Sequence, residues 1–386
     1  MILEKVTLGE LYTVHNGLSK GSKYFGSGYP FLSFSTVFNN YFIPNELVDL
    51  VQSDAKEQKN YSISRGDVFV TRTSETSDEL GMSCVALKDY PRATYNGFTK
   101  RMRPIATDRV HPEYIGYYMR MPSFRREFQA FSTMTTRASL KNEDLLSLTI
   151  LLPSMEQQIR IAEVLQTYDK LIENNQQQIK LLEEAAQRLY KEWFVDLNFP
   201  RYEDVKVVDG VPEGWNKELI GNVIGKVSRT KQIKTADYLL EGSIPIIDQS
   251  RDFIAGYTND SEALVNTGTP VIVFGDHTRI LKYIQFPFAK GADGTQLIIS
   301  DRTNMPQSLL YLSLIAVDLT NYHYARHFKY LKAESILIPS QDVADEFDRL
   351  ISPIFSQIQK LREKCCKLSQ ARDRLLPKLM SGEIEV

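Results

Sequence analysis

The chain has 386 residues, 42% of them hydrophobic and 24% charged, which is enough for two or three globular domains. Its net charge of −2 does not indicate nucleic-acid binding overall, so any such contact must come from local basic loops. Three cysteines give no disulfide framework, and the sequence lacks a signal peptide and any long apolar run, so we expect a cytoplasmic protein without a membrane span.

Residues 1–152 form the first predicted globular portion. A strand start at 6–11, a proline-led apolar run at 30–33 and a glycine-led strand at 66–70 are separated by turn residues. A helix is predicted over 111–131, after a His-Pro pair. This mixture of short strands and segregated helices is typical of the α+β class.

Residues 153–195 predict a long helix with an apolar seam. Apolar side chains recur at alternating steps of four and three, the spacing of a coiled coil, and Ser154 with Gln157 resembles a capping box. The predicted seam comprises Leu165, Ile172, Asn175, Ile179, Leu182 and Leu189, with Ile161, Tyr168, Ala186 and Trp193 at the same spacing. Asn175 either fixes the register of the seam at some cost in stability or is solvated at a frayed contact.

Residues 196–338 form a linker and a second globular portion that repeats the order of the first. A strand start at 219–224, a proline-led run at 245–248 and a glycine-led strand at 268–274 are followed by a predicted helix over 305–319. The α+β class is therefore expected for both portions.

Residues 339–386 form a second long helix, which repeats the first at an offset of 186 residues without a gap. Its predicted seam comprises Ile351, Ile358, Leu361, Leu368 and Leu375, with Phe347, Ile354, Cys365, Arg372 and Leu379 at the same spacing. Pro353 marks either a start or a bend of this helix. Two related helices of this length predict an antiparallel coiled coil with pseudo-twofold symmetry.

Apolar residues off the first seam, Leu171, Leu181 and Phe194, are expected to be exposed. They indicate a docking surface for partner helices as well as a spacer, whereas the alternative is a helix pair that forms only an internal core.

Each glycine-led strand is followed by a polar loop, at 71–76 and 275–279, and each portion has a second polar segment, at 133–139 and 322–327. Arg, Ser, Thr and His suit base edges and phosphates, although such runs are also common on solvated faces. Lys226 begins a further basic run without an internal acid. The candidate DNA contacts are Lys20, Lys23, Thr71, Arg72, Thr73, Ser74, Arg101, Thr136 and Arg137 in the first portion, and Arg229, Lys231, Lys234, Asp276, His277, Thr278, Arg279, His323 and Arg326 in the second.

Catalytic and metal-binding motifs are not found in the sequence. It contains no phosphate-cradling glycine loop with a following lysine, no paired-glycine dinucleotide motif and no nucleophile elbow. His323 and His327 are spaced like a helical metal pair but lack an intervening acid and a third ligand. We therefore expect neither a catalytic residue nor a metal site in this chain.

Several of these segments resemble the specificity subunits of type I restriction-modification systems. Residues 151–165, 171–175 and 188–195 are similar to the central helical region of that family, and 374–384 to its C-terminal helical region. Residues 211–215, Val-Pro-Glu-Gly-Trp, resemble the entry into its second target recognition domain. The second helix departs from the family at 342–344, where Asp-Val-Ala replaces Glu-Gln-Gln, and at Pro353.

The resemblance implies a non-catalytic subunit in which each target recognition domain reads one half of an asymmetric, bipartite site in double-stranded DNA. The helix pair would set the gap between the halves and dock two methyltransferase subunits, and restriction and motor subunits would join the full complex. S-adenosylmethionine, Mg²⁺ and ATP would then be held by the partners and not by this chain. The alternatives are a DNA-recognition subunit of another restriction-methylation class and a coiled-coil scaffold that does not bind DNA.

Overall fold

The computed structural model describes residues 2–72, 80–132, 140–320 and 326–386. The chain divides into two compact units. Unit 1 consists of residues 1–172 and 367–386, and unit 2 of residues 173–366. Each unit therefore combines one globular portion with parts of both long helices, whereas the domain boundaries predicted from the sequence separate helices from globular portions.

The elements of unit 1 alternate short strands and short helices. Its strands are β1 (Glu4–Thr7), β2 (Tyr12–Asn16), β3 (Phe25–Leu32), β4 (Leu50–Val51), β5 (Val68–Thr71), β6 (Ser83–Val85), β7 (Thr94–Tyr95), β8 (Thr99–Pro104) and β9 (Thr149–Leu152). Its helices are α1 (Leu8–Leu11), α2 (Phe34–Asn39), α3 (Ala55–Asn60), α4 (Pro112–Tyr118), α5 (Pro122–Ser132) and α6 (Asn142–Ser147). The long helix α7 (Met155–Tyr190) begins in this unit and continues into unit 2.

The elements of unit 2 follow a π-helical turn at Lys191–Val195. Its strands are β10 (Val207–Val208), β11 (Val211–Pro212), β12 (Asn216–Leu219), β13 (Ile224–Gly225), β14 (Ile244–Ile247), β15 (Gly256–Thr258), β16 (Leu264–Val265), β17 (Val271–Gly275), β18 (Leu281–Ile284), β19 (Phe288–Lys290), β20 (Thr295–Ser300) and β21 (Ser335–Ile338). Its helices are α8 (Gln307–Ile315) and α9 (His327–Ala333), and α10 (Gln341–Ser381) extends from this unit into unit 1.

The two units share one sheet topology. An antiparallel four-stranded sheet has the order β2-β8-β5-β6 in unit 1 and β13-β20-β17-β18 in unit 2. A second sheet, of three strands in unit 1 and four in unit 2, contains the parallel pair β3-β7 in unit 1 and β14-β19 in unit 2. A two-stranded ribbon precedes each long helix, β1-β9 and β12-β21. The repeat detected in the sequence is therefore a repeat of the fold.

Each four-stranded sheet has an apolar core on both faces, because successive side chains along a strand point to opposite sides. In unit 1, Val68 and Val70 of β5 contribute to the cluster that contains the long helices, whereas Phe69 contributes to a separate cluster with β3. In unit 2, Ile272 and Val273 of β17 divide between two clusters in the same way. One face of each sheet is thus fixed to the helices, which positions the loops at its ends.

The long helices pair in opposite directions within each unit. In unit 1, Ile161 and Leu165 of α7 share a core with Leu379 of α10, and Asp169 forms an ion pair with Arg372. In unit 2, Arg362 Nη2 lies 2.7 Å from Glu183 Oε1, which is a second ion pair between the helices. Ala186, Leu189 and Trp193 share the core of that unit with Phe347, Ile351 and Ile358. Higher numbers on one helix meet lower numbers on the other, which confirms the predicted antiparallel pairing.

The seam predicted for these helices lies in the interior, because all of its members are buried or half-buried. In the interval between the two ion pairs, the side chain of Asn175 is 3% exposed and hydrogen-bonds with the Cys365 thiol, while its Nδ2 has no partner in the described part of the chain. Burial raises the pKa of Cys365. Asn175 is therefore not solvated, which removes that alternative.

Replacement of Asn175 by leucine is expected to raise the midpoint of thermal unfolding, since an unpaired buried amide costs about 1–3 kcal/mol. Differential scanning calorimetry would measure the shift. Asn174 is exposed on the same helix, so Asn174→Leu is the matched control and should change the midpoint little. A lower midpoint for Asn175→Leu than for the unmodified chain would contradict the expectation.

Two local predictions are wrong, and two others are refined. Leu8–Leu11 is a short helix between β1 and β2, because Thr7 and Glu10 form a capping box. Of the two alternatives for Pro353, a start of the helix is excluded, because Pro353 lies inside a continuous α10. Phe194 is buried, not exposed, because it packs on Trp215 and Phe347. The helix predicted over 111–131 is divided into α4 and α5.

No helix in the described ranges is long and apolar enough to cross a membrane.

Candidate nucleic-acid interface

The loops at one end of the four-stranded sheet of unit 1 are joined through the backbone of Arg72. Its N–H donates to the carbonyl of Phe98, 2.9 Å away, in the loop before β8. Its carbonyl accepts a bond from the N–H of Leu140, 3.0 Å away, just before α6. Three segments therefore meet where β5 ends, and two of them border the polar segments predicted from the sequence.

Asp276 forms the same backbone junction in unit 2. Its N–H donates to the carbonyl of Gly294, 2.7 Å away, in the loop before β20, and its carbonyl accepts from the N–H of His327, 3.0 Å away. The Asp276 carboxylate also accepts from the N–H of Phe328 at 2.8 Å, which satisfies a free donor in the first turn of α9. The structure thus brings the polar loop after β17 next to the start of α9.

A basic segment adjoins this end of each sheet. In unit 1, residues 17–24 follow β2, and Leu18 donates to the carbonyl of Tyr95 at 2.9 Å. In unit 2, residues 226–234 follow β13, and Ile233 donates to the carbonyl of Lys290 at 3.1 Å. The candidate cations of each unit are therefore placed beside its junction and not scattered over the surface.

Gln249 holds the loop of unit 2 in place. Its Oε1 accepts from the N–H of His277 at 3.1 Å, its Nε2 donates to the carbonyl of Asp293 at 2.8 Å, and its carbonyl accepts from the Thr278 hydroxyl at 2.8 Å. A Cβ at Gly294, where φ is +86°, would lie 2.7 Å from Gln249 Nε2, so a side chain at this position would collide with Gln249. The sequence carries no signal for this role, because Gln249 lies far along the chain from both loops that it joins.

The candidate cations differ in how freely they face solvent. Lys23, Arg229 and Lys234 are exposed and form no ion pair with any residue that the structure describes. Lys20 instead pairs with Glu57 at 2.6 Å, and Lys231 with Asp260 at 2.6 Å. The hydrogen bond from Lys231 lowers the pKa of the Asp260 carboxyl and raises that of Lys231 itself.

Three predicted contact residues are buried, which corrects the expectation that they reach DNA directly. Thr71 is completely buried, and its hydroxyl accepts from the N–H of Met82. Arg101 donates to the carbonyl of Ser62 and is 8% exposed, and burial lowers its pKa. The Asp276 side chain is engaged with α9 as described above. These residues support the loops.

The other candidates occupy the surface of these loops or are not described. His277, Thr278, Arg279 and Arg326 are exposed, and Arg72 is half-buried. The Arg279 guanidinium donates to the carbonyl of Leu319, and its backbone is left-handed at φ 61°. Thr73, Ser74, Thr136, Arg137 and His323 lie outside the described residues. Their contact with DNA stays a prediction, as it does for the exposed candidates.

Two further observations concern exposed apolar residues and metal binding. Leu171 is 40% exposed and Leu181 54% exposed, which agrees with the prediction of apolar surface off the helical seam. Across the described ranges, no group of three or more His, Cys, Asp or Glu side chains has the arrangement of a metal site.

Comparison with known proteins places these features in context. The model of the type I restriction modification DNA specificity domain matches residues 3–184, which include the globular portion of unit 1 and most of α7. A type I restriction enzyme specificity subunit of Methanocaldococcus jannaschii, MjaIX, is 24% identical over 98% of this chain and 92% of its own length. An Escherichia coli type I restriction enzyme specificity subunit is 24% identical over 47% of this chain and 48% of its own.

A solved structure shares the fold. The S subunit of a type I restriction-modification system from M. genitalium aligns over 98% of this chain and 96% of its own with a TM-score of 0.56 and 14% sequence identity. At that identity the likeness concerns the fold, namely two α+β portions and two long helices.

Proposed function

We propose that this chain is a specificity subunit of a type I restriction-modification system, like the proteins that it resembles, and that each unit reads one half of an asymmetric, bipartite sequence in double-stranded DNA. The observation that carries the proposal is the backbone junction built twice, around Arg72 and around Asp276. The junctions share geometry but differ in side chains, and loops of this kind would give two half-sites of different sequence.

The paired helices would act as the spacer between the half-sites. Continuous helices α7 and α10, of 36 and 41 residues, support this role because an α-helix fixes length at about 1.5 Å per residue. The buried seam and the ion pairs Asp169–Arg372 and Glu183–Arg362 oppose sliding of one helix along the other.

The chemistry would be supplied by partner subunits. The exposed Leu171 and Leu181 support docking of methyltransferase subunits, two in the assembly that we propose, with restriction and motor subunits in the full complex. S-adenosylmethionine, Mg²⁺ and ATP would then be held by those partners, and this chain would be non-catalytic.

The decisive experiment is to determine the methylated motif in a host that carries the complete system, with a host lacking this chain as the control. We expect an asymmetric motif of two specific parts separated by a gap of fixed length. Methylation that shows no sequence preference, or that is unchanged when the chain is absent, would reject the proposal and favour a scaffold that does not bind DNA.

The exposed cations of unit 2 are expected to contact phosphates. Arg229→Ala and Lys234→Ala should each weaken binding to all sequences alike and reduce the slope of log K against log salt by about 1. Fluorescence anisotropy of the complex on labelled duplexes over a salt series would measure this. Lys231→Ala is the matched control with a smaller expected effect, because Lys231 already pairs with Asp260. Equal slopes for all three variants and the unmodified complex would contradict the assignment.

A further inference from the structure

Phe98 is a large apolar side chain at the junction of unit 1, and it is 60% exposed. Among the polar and basic residues around this junction, the exposed ring offers an apolar contact that their side chains do not. Unit 2 has Gly294 at the corresponding junction position, where the carbonyl accepts from Asp276. The feature is therefore specific to one unit.

The backbone of Phe98 is held on both sides. Its N–H donates to Asn96 Oδ1 at 2.7 Å, and its carbonyl accepts from the N–H of Arg72 at 2.9 Å. A Cβ at the neighbouring Gly97 would lie 2.2 Å from the hydroxyl of Ser19, so the loop is packed closely against the segment that carries Lys20 and Lys23. The ring is thus presented by a fixed loop between two of the segments proposed to contact DNA.

We propose that Phe98 is a specificity-determining residue that contacts the C5 methyl group of a thymine in the first half-site. This inference rests on the proposed function. The methyl group of thymine is the apolar feature that base edges offer in the major groove, and phenylalanine is suited to it. The basic and polar segments on either side of Phe98 would contact phosphates and polar base edges. These contacts would hold the ring against the base edges in the major groove.

The test replaces each thymine of the first half-site, once the motif is known, by deoxyuridine, which lacks only that methyl group. Binding of the full chain in complex with its methyltransferase subunits would be measured for each duplex. At one position the unmodified complex should lose about fourfold in affinity, the value expected for one buried methyl group. Phe98→Ala should show no loss at that position, and Phe98→Leu should retain part of it.

Ile105 provides a matched control, because it is 59% exposed and follows the other end of the same strand β8. Ile105→Ala should bind and discriminate like the unmodified complex. The inference is overturned if the first half-site contains no thymine, if no deoxyuridine there weakens binding, or if Phe98→Ala keeps the same sensitivity. A complex that does not distinguish the first half-site from a scrambled sequence would instead refute the proposed function.

Discussion

Removal of one heptad from each long helix is expected to shorten the gap between the half-sites by about three base pairs while leaving both half-sites unchanged. Seven residues correspond to about 10 Å of helix, and base pairs repeat every ~3.4 Å. Suitable deletions are residues 173–179 of α7 and 364–370 of α10. Both lie between the two ion pairs, Asp169–Arg372 and Glu183–Arg362, so both pairs are retained.

The measurement is the methylated motif of a host that expresses the shortened chain. Deletion of 173–179 alone is the informative control, since it displaces the seam of one helix by a heptad against an unchanged partner and should abolish recognition. Alanine replacement of the exposed residues within 173–179 should leave the gap as it was. An unchanged motif after the double deletion would rule out the spacer role while leaving DNA recognition by the units intact.

Much of the scaffold follows from the sequence because its signals are periodic. The seam through Leu165, Ile172 and Leu182 has the spacing of a helix, which strands and loops do not produce over this length. The same spacing recurs in α10 at an offset of 186 residues, which is an independent indication of a helix. The position of one polar loop in each unit was also predictable in outline, because in both units that loop follows the same glycine-led strand.

The distinction between supporting and exposed side chains was not predictable. Arg101 belongs to the charged sequence of β8, yet the Ser62 carbonyl and the Tyr95 ring bury it. Phe194 lies off the helical seam, but Trp215 and Phe347 cover it. Ser62 and Phe347 are distant in sequence from the residues that they cover, and such contacts are specified by tertiary packing, which a local pattern does not contain.

Asp276→Ala is expected to abolish discrimination of the second half-site and leave the first unaffected. Asp276 is 4% exposed and its carboxylate accepts from the N–H of Phe328, so removal of the carboxylate leaves a donor in the first turn of α9 without this partner. Loss of such a cap costs about 1–2 kcal/mol, and here the cost falls on the junction that positions His277 and Thr278. The backbone bonds of Asp276 to Gly294 and His327 would no longer be held in one arrangement.

Competition binding would separate this effect from a general loss of folding. Duplexes with the second half-site scrambled should bind the Asp276→Ala complex as well as cognate duplexes do, whereas scrambling the first half-site should still weaken binding. Asp276→Asn keeps an oxygen acceptor of the same size and should restore most of the discrimination. If Asp276→Ala lowers recognition of both half-sites equally while circular dichroism shows a folded chain, the two units do not read DNA independently. That result would mean that the loops of unit 1 recognise their half-site only when the loops of unit 2 are correctly positioned.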